Sequence, residues 1–393
     1  MGSSGPPWNG LHPSKSSSTA TISLVPPPYS RRALLLGSAA LLACGRKKAT
    51  GYPGYCFVAN RQSHTLGVLD LSTFRLWQPV RLDAAPTALV PHPREPKLYA
   101  LAAGTGVLYE VDVASLSVVR RAKPGNLAIG ILGAPSGDAL WALYRDPPAL
   151  IEIPFDSFQP RRRIRLPSPP DDFDLDSKHA AIASSRTGSV IIASLEHAAI
   201  ERSARAGPAP FLVRFQQQGA QLAAASPSDR SVSMIEAASG KLMVRLPMPI
   251  EPSHFCLYGD GGQLFVTGQG QDVVVIIDPY RTQIAETILA GRRPGAMAVA
   301  GAYLLVTNPE TNSVTVLDVE NRKLAAVVQV GEEPRTILIT PDQQYALVLN
   351  EKSGDVAVIR IASLAGRRYK SAPLFTLVPV GQEPVSAAVV TLV

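Results

Sequence analysis

The densest group of chemically active side chains in this 393-residue sequence is a run of aspartates at positions 171, 172, 174 and 176. Successive side chains of a β-strand point to opposite faces, so Asp172, Asp174 and Asp176 would share one face of a strand. Carboxylates at this spacing repel one another unless water, a cation or a basic side chain balances them. We therefore treat Asp172 and Asp174 as candidate binding residues.

The aspartate run is similar to the start of a calcium-binding loop, but the rest of that motif is missing. Such a loop needs glycine at its sixth position and glutamate at its twelfth, and Ser177 and Ala183 stand there. We predict no metal site here. Arg214, the arginines at 161–163 or exposure to a wet channel would balance the carboxylates instead.

Other chemical motifs are absent from the sequence. No two histidines have a spacing that would place both on one metal ion, and Cys-x-x-Cys-His does not occur. There is no glycine-rich phosphate loop, nucleophile elbow or zinc motif. We therefore predict no catalytic residue and no cofactor.

A repeated pattern of strands and turns, found eight times after Tyr55, must position these side chains. Clear copies are Tyr303–Asn308 followed by Ser313–Asp318, and Tyr345–Asn350 followed by Asp355–Ile359. The repeats begin at residues 55, 98, 140, 180, 221, 264, 303 and 345, close to the spacing of roughly 40–45 residues that one propeller blade occupies. The pattern predicts an all-β fold, a β-propeller of eight four-stranded blades.

The two ends of the repeated region complement each other. The first repeat begins directly at a second strand, Tyr55–Asn60, and the last ten residues form an inner strand with nothing after it. Pairing them would complete one blade and cover two open strand edges, the closure called velcro. Cys56 and Cys256 would then lie in blades one and six, too far apart for a disulfide, and we expect both to be buried and apolar in character.

The strands that end in Thr-Asn or a close substitute, such as Tyr303–Asn308, resemble the YVTN family of β-propeller repeats, over about residues 55–393. Many members of that family have seven blades, so seven is the alternative count. The family includes surface-layer proteins, extracellular binding proteins and relatives of lactonases, and it implies a scaffold without a single activity. The count of eight is also similar, in architecture only, to the haem-binding propeller of the dissimilatory nitrite reductases and their maturation relatives.

Functional residues of a propeller are expected at the channel mouth, where the loops from each outer strand to the next inner strand converge. Alignment of the repeats places several charged residues in or beside these loops. The candidate binding residues are Asp172, Asp174, His254, Arg293, Glu333 and Arg335.

The first 43 residues carry export signals. An apolar run of eleven residues, Ala33–Ala43, is too short to cross a bilayer and is typical of a signal peptide. Its end, Leu41–Cys44, resembles the lipobox of bacterial lipoproteins, which implies acylation of Cys44. Arg31 and Arg32 resemble a twin-arginine export signal, with ordinary secretion as the alternative.

These signals divide the chain into three parts and predict its location. A disordered leader with the signal peptide covers 1–43, a lipidated tether covers 44–54 and the propeller covers 55–393. The protein would be extracytoplasmic, in the periplasm or at the cell surface, and bound to a membrane of a bacterium through its lipid. The net charge of +7 includes basic clusters at 161–165 and 367–370, and neither belongs to a nucleic-acid-binding motif, so we predict no nucleic-acid binding.

Three functions are compatible with this organisation. The first is a monomeric, non-catalytic module that binds a protein, a glycan or a cell-envelope component at the channel mouth. The second is an enzyme or a cofactor-handling protein, lactonase-like or haem-linked, with its site at the same mouth. The third is a purely structural envelope protein.

Overall fold

The computed structural model describes residues 51–259, 261–365 and 372–392, and within these ranges the chain forms a ring of eight antiparallel four-stranded sheets. The predicted β-propeller with eight blades is confirmed, and the alternative count of seven is wrong. The described helices are three short 3-10 turns, Gln217–Gly219, Pro227–Asp229 and Ile361–Ala365. None of the described helices is long and apolar enough to span a bilayer. The signal peptide, Cys44 and the basic cluster at 367–370 lie outside the described residues.

In the first half of the ring, the strands follow one another from the second strand of blade one to the outer strand of blade four. They are β1 (Gly54–Asn60), β2 (Thr65–Asp70), β3 (Arg75–Arg81), β4 (Ala88–Pro91), β5 (Lys97–Ala102), β6 (Val107–Asp112), β7 (Ser117–Ala122), β8 (Leu127–Gly133), β9 (Ala139–Asp146), β10 (Pro148–Pro154), β11 (Arg162–Arg165), β12 (Asp172–Leu175), β13 (His179–Ser184), β14 (Ser189–Ser194) and β15 (Ala199–Arg205).

The second half of the ring holds blades five to eight and then the inner strand of blade one. These strands are β16 (Leu212–Gln216), β17 (Gln221–Ser226), β18 (Ser231–Glu236), β19 (Leu242–Pro247), β20 (Glu251–Tyr258), β21 (Gln263–Gln269), β22 (Val273–Asp278), β23 (Gln283–Leu289), β24 (Met297–Ala300), β25 (Tyr303–Asn308), β26 (Ser313–Asp318), β27 (Lys323–Gln329), β28 (Pro334–Ile339), β29 (Tyr345–Asn350), β30 (Asp355–Arg360), β31 (Leu374–Pro379) and β32 (Pro384–Thr391).

The ring has two different ends. At one end, here called the mouth face, lie the turns between the second and third strands of each blade and the loops from each outer strand to the next blade. The opposite end, here called the base face, carries the other turns. Blade one shows the alternation, because Asn60 pairs with Pro384 at the mouth face and Gly54 pairs with Thr391 at the base face.

The last strand, β32, closes the ring by pairing with β1. The pairing runs antiparallel from Gly54 to Asn60, and Cys56 lies opposite Val389. Val390 is buried in a cluster that joins blade one to blade two and contains Phe57 and Leu98. Velcro closure is therefore present, and both cysteines are free, with Cys56 buried and Cys256 half-buried.

The asparagine that ends the best repeats connects its blade to the incoming loop. Asn308 is fully buried, and its Nδ2 donates to Ser313 Oγ at 3.2 Å and to Thr315 Oγ1 at 2.9 Å. A Cβ added at Gly291, in the loop that leads to blade seven, would lie 2.4 Å from the Asn308 side chain. Asparagine and glycine are therefore a matched pair, repeated by Asn350 with Gly331 and by Asn60 with Gly381.

Asp172 and Asp174 connect the inner strands of blades four and five. The Val213 N–H donates to Asp172 Oδ2 at 3.0 Å, and the Phe215 N–H donates to Asp174 Oδ2 at 2.8 Å. Since β16 is the innermost strand of its sheet, its open edge has no neighbouring strand, and the carboxylates supply the acceptors that such a strand would offer. Arg214 Nη1 lies 2.5 Å from Asp172 Oδ2 and balances that charge.

We expect Asp174→Asn to keep an acceptor for the Phe215 N–H while removing a buried charge. Burial raises the pKa of the Asp174 carboxyl above its ordinary value of 3.8, so its stabilising contribution is greatest in acid and is lost as pH rises through the raised pKa. Urea unfolding should therefore show the variant gaining stability relative to wild type as pH rises from about 4 to about 7.

Asp318→Asn is the matched control, and we expect its stability relative to wild type to change with pH in the opposite direction. Hydrogen bonds from Asn321 lower the pKa of the Asp318 carboxyl, so this carboxylate stabilises the fold above its ordinary pKa and loses that effect in acid. An Asp174→Asn protein whose stability relative to wild type stays constant or falls as pH rises through this range would contradict the assignment, because the charged form of Asp174 would then carry no penalty in the folded protein.

Candidate functional site

A cleft of about 510 Å³ opens on the mouth face above blades six, seven and eight. Four of the six candidate residues line it: His254, Arg293, Glu333 and Arg335. Asp172 and Asp174 are not among its lining residues and contact β16 instead. The structure therefore brings together the candidates from blades six to eight and separates them from those of blade four.

Two loops with the same conformation hold Arg293 and Glu333 over the cleft. Each residue precedes a proline and has a positive φ, 50° for Arg293 and 57° for Glu333, a left-handed conformation that is uncommon outside glycine. The preceding blade fixes each backbone: the Arg293 N–H donates to Asp272 Oδ1 at 3.0 Å, and the Glu333 N–H donates to Asn312 Oδ1 at 2.9 Å. The two side chains are therefore presented by equivalent loops one blade apart.

Opposite charges alternate along the cleft wall in exposed pairs. Arg293 Nη1 lies 3.4 Å from Glu310 Oε1, and Lys352 Nζ lies 3.2 Å from Glu332 Oε2. Arg335 forms a third pair with Glu333. The lining thus holds equal numbers of cationic and anionic side chains, and each pair remains open to solvent.

Arg335 also belongs to an ionic network at the closure of the ring. Its Nε lies 2.9 Å from Glu351 Oε2, and Arg61 Nη2 lies 3.1 Å from Glu351 Oε1. Arg61 in turn pairs with Glu383, which directly precedes β32. Burial raises the pKa of the Glu351 carboxyl despite these two arginines. One wall of the cleft is therefore connected to the junction between blades eight and one.

His254 lies deeper in the cleft than the ion pairs. Its Nδ1 is 2.9 Å from Ser253 Oγ, at a point where β20 has an irregular register beside β21. Burial lowers the pKa of the His254 imidazole, and the nearby Arg335 guanidinium lowers it further. The imidazole is therefore neutral at neutral pH and offers a nitrogen lone pair rather than a positive charge.

Several lining residues were not predicted from the sequence. Glu310, Asn312 and Lys352 come from turns between second and third strands, which lie on the same face as the loops that were considered. A signal for them exists in the repeat, since those turns follow the Asn308 and Asn350 positions directly.

A second hollow, of about 410 Å³, lies on the base face between blades three and four. It contains the surroundings of the fourth aspartate of the acidic run. His179 Nδ1 is 3.4 Å from Asp176 Oδ2, and its Nε2 is 3.7 Å from Glu201 Oε2. Arg161 pairs with Glu152 at 2.7 Å in the same hollow. The carboxylates of these pairs are largely buried, with Glu152 6% and Asp176 13% exposed, so these pairs are held within the fold more firmly than the exposed pairs of the cleft.

Neither a metal nor a macrocycle fits the cleft well. Among the described residues, no group of three or more His, Cys, Asp or Glu side chains is placed to hold a metal ion. His254 is the one lining side chain of a type that commonly ligates haem iron. The remaining walls consist mainly of charged side chains and loop backbone, which give little apolar surface to the faces of a haem.

Comparison with known proteins supports the propeller fold, and one family model is similar to part of the blades that form the cleft. The family described as Lactonase, 7-bladed beta-propeller matches residues 269–370, which run from the end of β21 into blade eight. A seven-bladed beta-propeller protein of Mycobacterium tuberculosis (strain ATCC 25618 / H37Rv), Rv1057, is 24% identical over 139 residues. That match covers 33% of this chain and 35% of the relative, so it spans only about a third of the relative's length.

Solved structures extend the likeness over most of the ring. Dihydro-heme d1 dehydrogenase NirN, solved in complex with DHE, has a TM-score of 0.71 at 14% identity, covering 88% of this chain and 77% of NirN. Hydrazine synthase of Kuenenia stuttgartiensis has a TM-score of 0.54 at 18% identity, covering 83% and 99%. Identities this low show a shared fold alone. The chain is therefore a β-propeller protein, and its partial sequence matches are to seven-bladed propellers.

Proposed function

We propose that this protein is a lipid-anchored binding protein outside the cytoplasm, and that its mouth cleft takes a charged segment of a partner protein. The observation that carries the proposal is the row of three exposed ion pairs along the cleft: Arg293 with Glu310, Lys352 with Glu332 and Arg335 with Glu333. Cationic and anionic side chains are exposed there and can bind a partner segment that carries the complementary pattern of charges.

Exposed ion pairs are weak enough for the charged groups of a partner to replace one member of a pair. A solvent-exposed pair contributes about 0–1 kcal/mol, so a partner's charges can replace one member at little cost. Small-molecule sites are usually lined by apolar and aromatic side chains, whereas this cleft offers mainly Pro294, Ala296 and Pro309 as apolar surface. The lining therefore favours a polar, chain-like partner over a small apolar ligand.

The anchor and the location belong to the same proposal. Cys44 follows the short apolar run Ala33–Ala43, and its surroundings resemble a lipobox. Two or three acyl chains on one cysteine hold a protein at a membrane far more firmly than one chain does. A propeller held in this way would meet its partners in the compartment that borders that membrane.

Charge reversal in the cleft tests the binding role. We expect Arg293→Glu to lower the amount of partner recovered with the tagged protein from cross-linked membranes about tenfold, equivalent to about 1.4 kcal/mol, because it places like charges beside Glu310. Recovery with wild-type protein should also fall as the salt concentration rises.

Arg230→Glu is the matched control. Arg230 also has a positive φ of 49°, is 53% exposed against 52% for Arg293, and pairs with Glu251 at 3.2 Å on the mouth face. It does not line the cleft. Equal losses of partner in the two variants, or no loss with Arg293→Glu, would contradict the proposed site.

An enzymatic role is a second candidate, favoured by one contact. Ser253 Oγ and His254 Nδ1 are within hydrogen-bond distance at 2.9 Å inside the cleft, an arrangement in which a neutral imidazole can accept the proton of an attacking hydroxyl. The lactonase family matches residues 269–370, which supply most of the cleft's lining. The reaction class would be hydrolysis of a lactone or ester.

Two substitutions distinguish the hydrolytic role from the binding role. If the cleft is hydrolytic, we expect Ser253→Ala and His254→Gln each to reduce turnover of a lactone panel about a hundredfold or more. Because burial lowers the pKa of His254, the wild-type rate should decline only below the ordinary pKa of histidine, 6.5. Unchanged turnover in both variants would eliminate the hydrolytic candidate.

A further inference from the structure

The described chain enters the ring at the base face of blade one. Gly51 lies against the backbone of Leu71 and Ser72, in the turn between β2 and β3, and the Leu392 N–H donates to Pro53 O at 3.0 Å. Tyr52 is buried and its hydroxyl bonds to Thr391 Oγ1. Residues 51–54, which the sequence suggested as the end of the tether, are thus packed against the base of blade one.

The distance from this entry point to the proposed anchor is short. Six residues, 45–50, separate Cys44 from Gly51, and a chain of that length spans at most about 25 Å. The strands that separate the base from the mouth face have six or seven residues, or about 20 Å. An anchor at Cys44 therefore keeps the base of blade one within about 25 Å of the membrane, and the exposed side chains of the ring indicate which face meets the lipid.

Exposed apolar side chains are concentrated toward the same face. Among the described residues, ten of the fifteen exposed large apolar side chains lie in the base half of the ring, although scattered ones would be expected equally on both halves. Leu76, Trp77, Leu324 and Phe375 lie near the base ends of the outer strands of blades one, seven and eight.

Trp77 stands closest to the entering chain. Its ring centroid is 5.8 Å from that of Tyr55, the residue that follows Gly54, and Trp77 is 50% exposed. Tryptophan and tyrosine are enriched where proteins meet the membrane–water interface, because each has an apolar body and a polar group. Arg75 lies two residues away on the same strand and can reach lipid phosphates.

We propose that the base rim formed by Leu76, Trp77, Leu324 and Phe375 rests on the lipid surface of the membrane that holds the anchor. This inference rests on the lipid anchor of the proposed function. Its consequence is an orientation: the cleft with Arg293 and Arg335 faces away from the membrane, toward partners in the surrounding compartment.

The tryptophan content of the chain allows a direct test. The sequence has three tryptophans, Trp8, Trp77 and Trp141; Trp8 precedes Cys44 and is removed by processing there, and Trp141 is only 2% exposed. The protein purified from membranes is reconstituted into phosphatidylglycerol and phosphatidylethanolamine vesicles containing brominated lipid. We expect a blue shift and quenching of the Trp77 emission, both absent in Trp77→Phe.

A reporter on the mouth face is the matched control. Phe211 is 49% exposed and lies at the mouth end of blade five, so Phe211→Trp in the Trp77→Phe background places a tryptophan of similar exposure at the opposite end. Brominated lipid should not quench its emission, whereas aqueous iodide should. Quenching of the Phe211→Trp reporter but not of Trp77 would overturn the orientation.

Two further results also test the proposed contact between the base rim and the lipid. Trp77 that is shielded from iodide but not quenched by brominated lipid would overturn the proposal, because a protein surface would then cover it. The mass of the N-terminal peptide of the same sample separates this inference from the anchor. An acylated Cys44 with Trp77 exposed to water overturns the orientation alone, whereas an unacylated N-terminus overturns the anchor and the orientation together.

Discussion

The pairing of β1 with β32 is the interaction on which the rest of the molecule depends. Each blade buries its apolar faces against two neighbours, so an open ring would leave two faces and two strand edges exposed to water and to other chains. The pairing from Gly54 to Asn60 removes both problems. It also brings Arg61 and Glu383 beside Glu351 and Arg335, so the same closure that completes the ring fixes one wall of the cleft.

Charge is used in two different ways around this ring. On blade four, Asp172 and Asp174 accept backbone N–H groups of the next inner strand, so their role is to connect blades. On blades six to eight the charges form exposed pairs across a cleft, where they contribute little to stability and remain available to a partner. The acidic run, the densest group of carboxylates in the sequence, thus connects two blades through Asp172 and Asp174. Arg293 and Glu333, which belong to no such run, line the cleft.

The blades were predictable because their signal is local. Strands such as Tyr303–Asn308 carry their own alternation and turn residues, and the repeat supplies the period. The unmatched second strand at Tyr55 and the unmatched inner strand from Pro384 indicated the closure. Arg214, which pairs with Asp172, was among the charge partners predicted from the sequence. The backbone donors were not predictable, since Val213 and Phe215 lie 41 residues away in the next blade.

The position of the cleft could not be predicted from the sequence either. Every blade has the same kinds of loop, and side-chain packing decides where a hollow opens between them. The cleft is lined from three blades, and contacts such as the hydrogen bond from the Glu333 N–H to Asn312 Oδ1 cross from one blade to the next, which no single repeat encodes. This is a general limit of repeat proteins, in which local pattern specifies each unit and the relation between units depends on contacts across them.

Ring closure can be tested at one residue pair. Cys56 lies directly opposite Val389, at a separation suited to a disulfide, whereas the side chain of Val390 points to the other face of the strand. Refolding under oxidising conditions and peptide mapping should give a Cys56 cross-link in Val389→Cys and none in Val390→Cys. A Val389→Cys protein that folds without the cross-link, or one in which both variants cross-link equally, would contradict the closed ring.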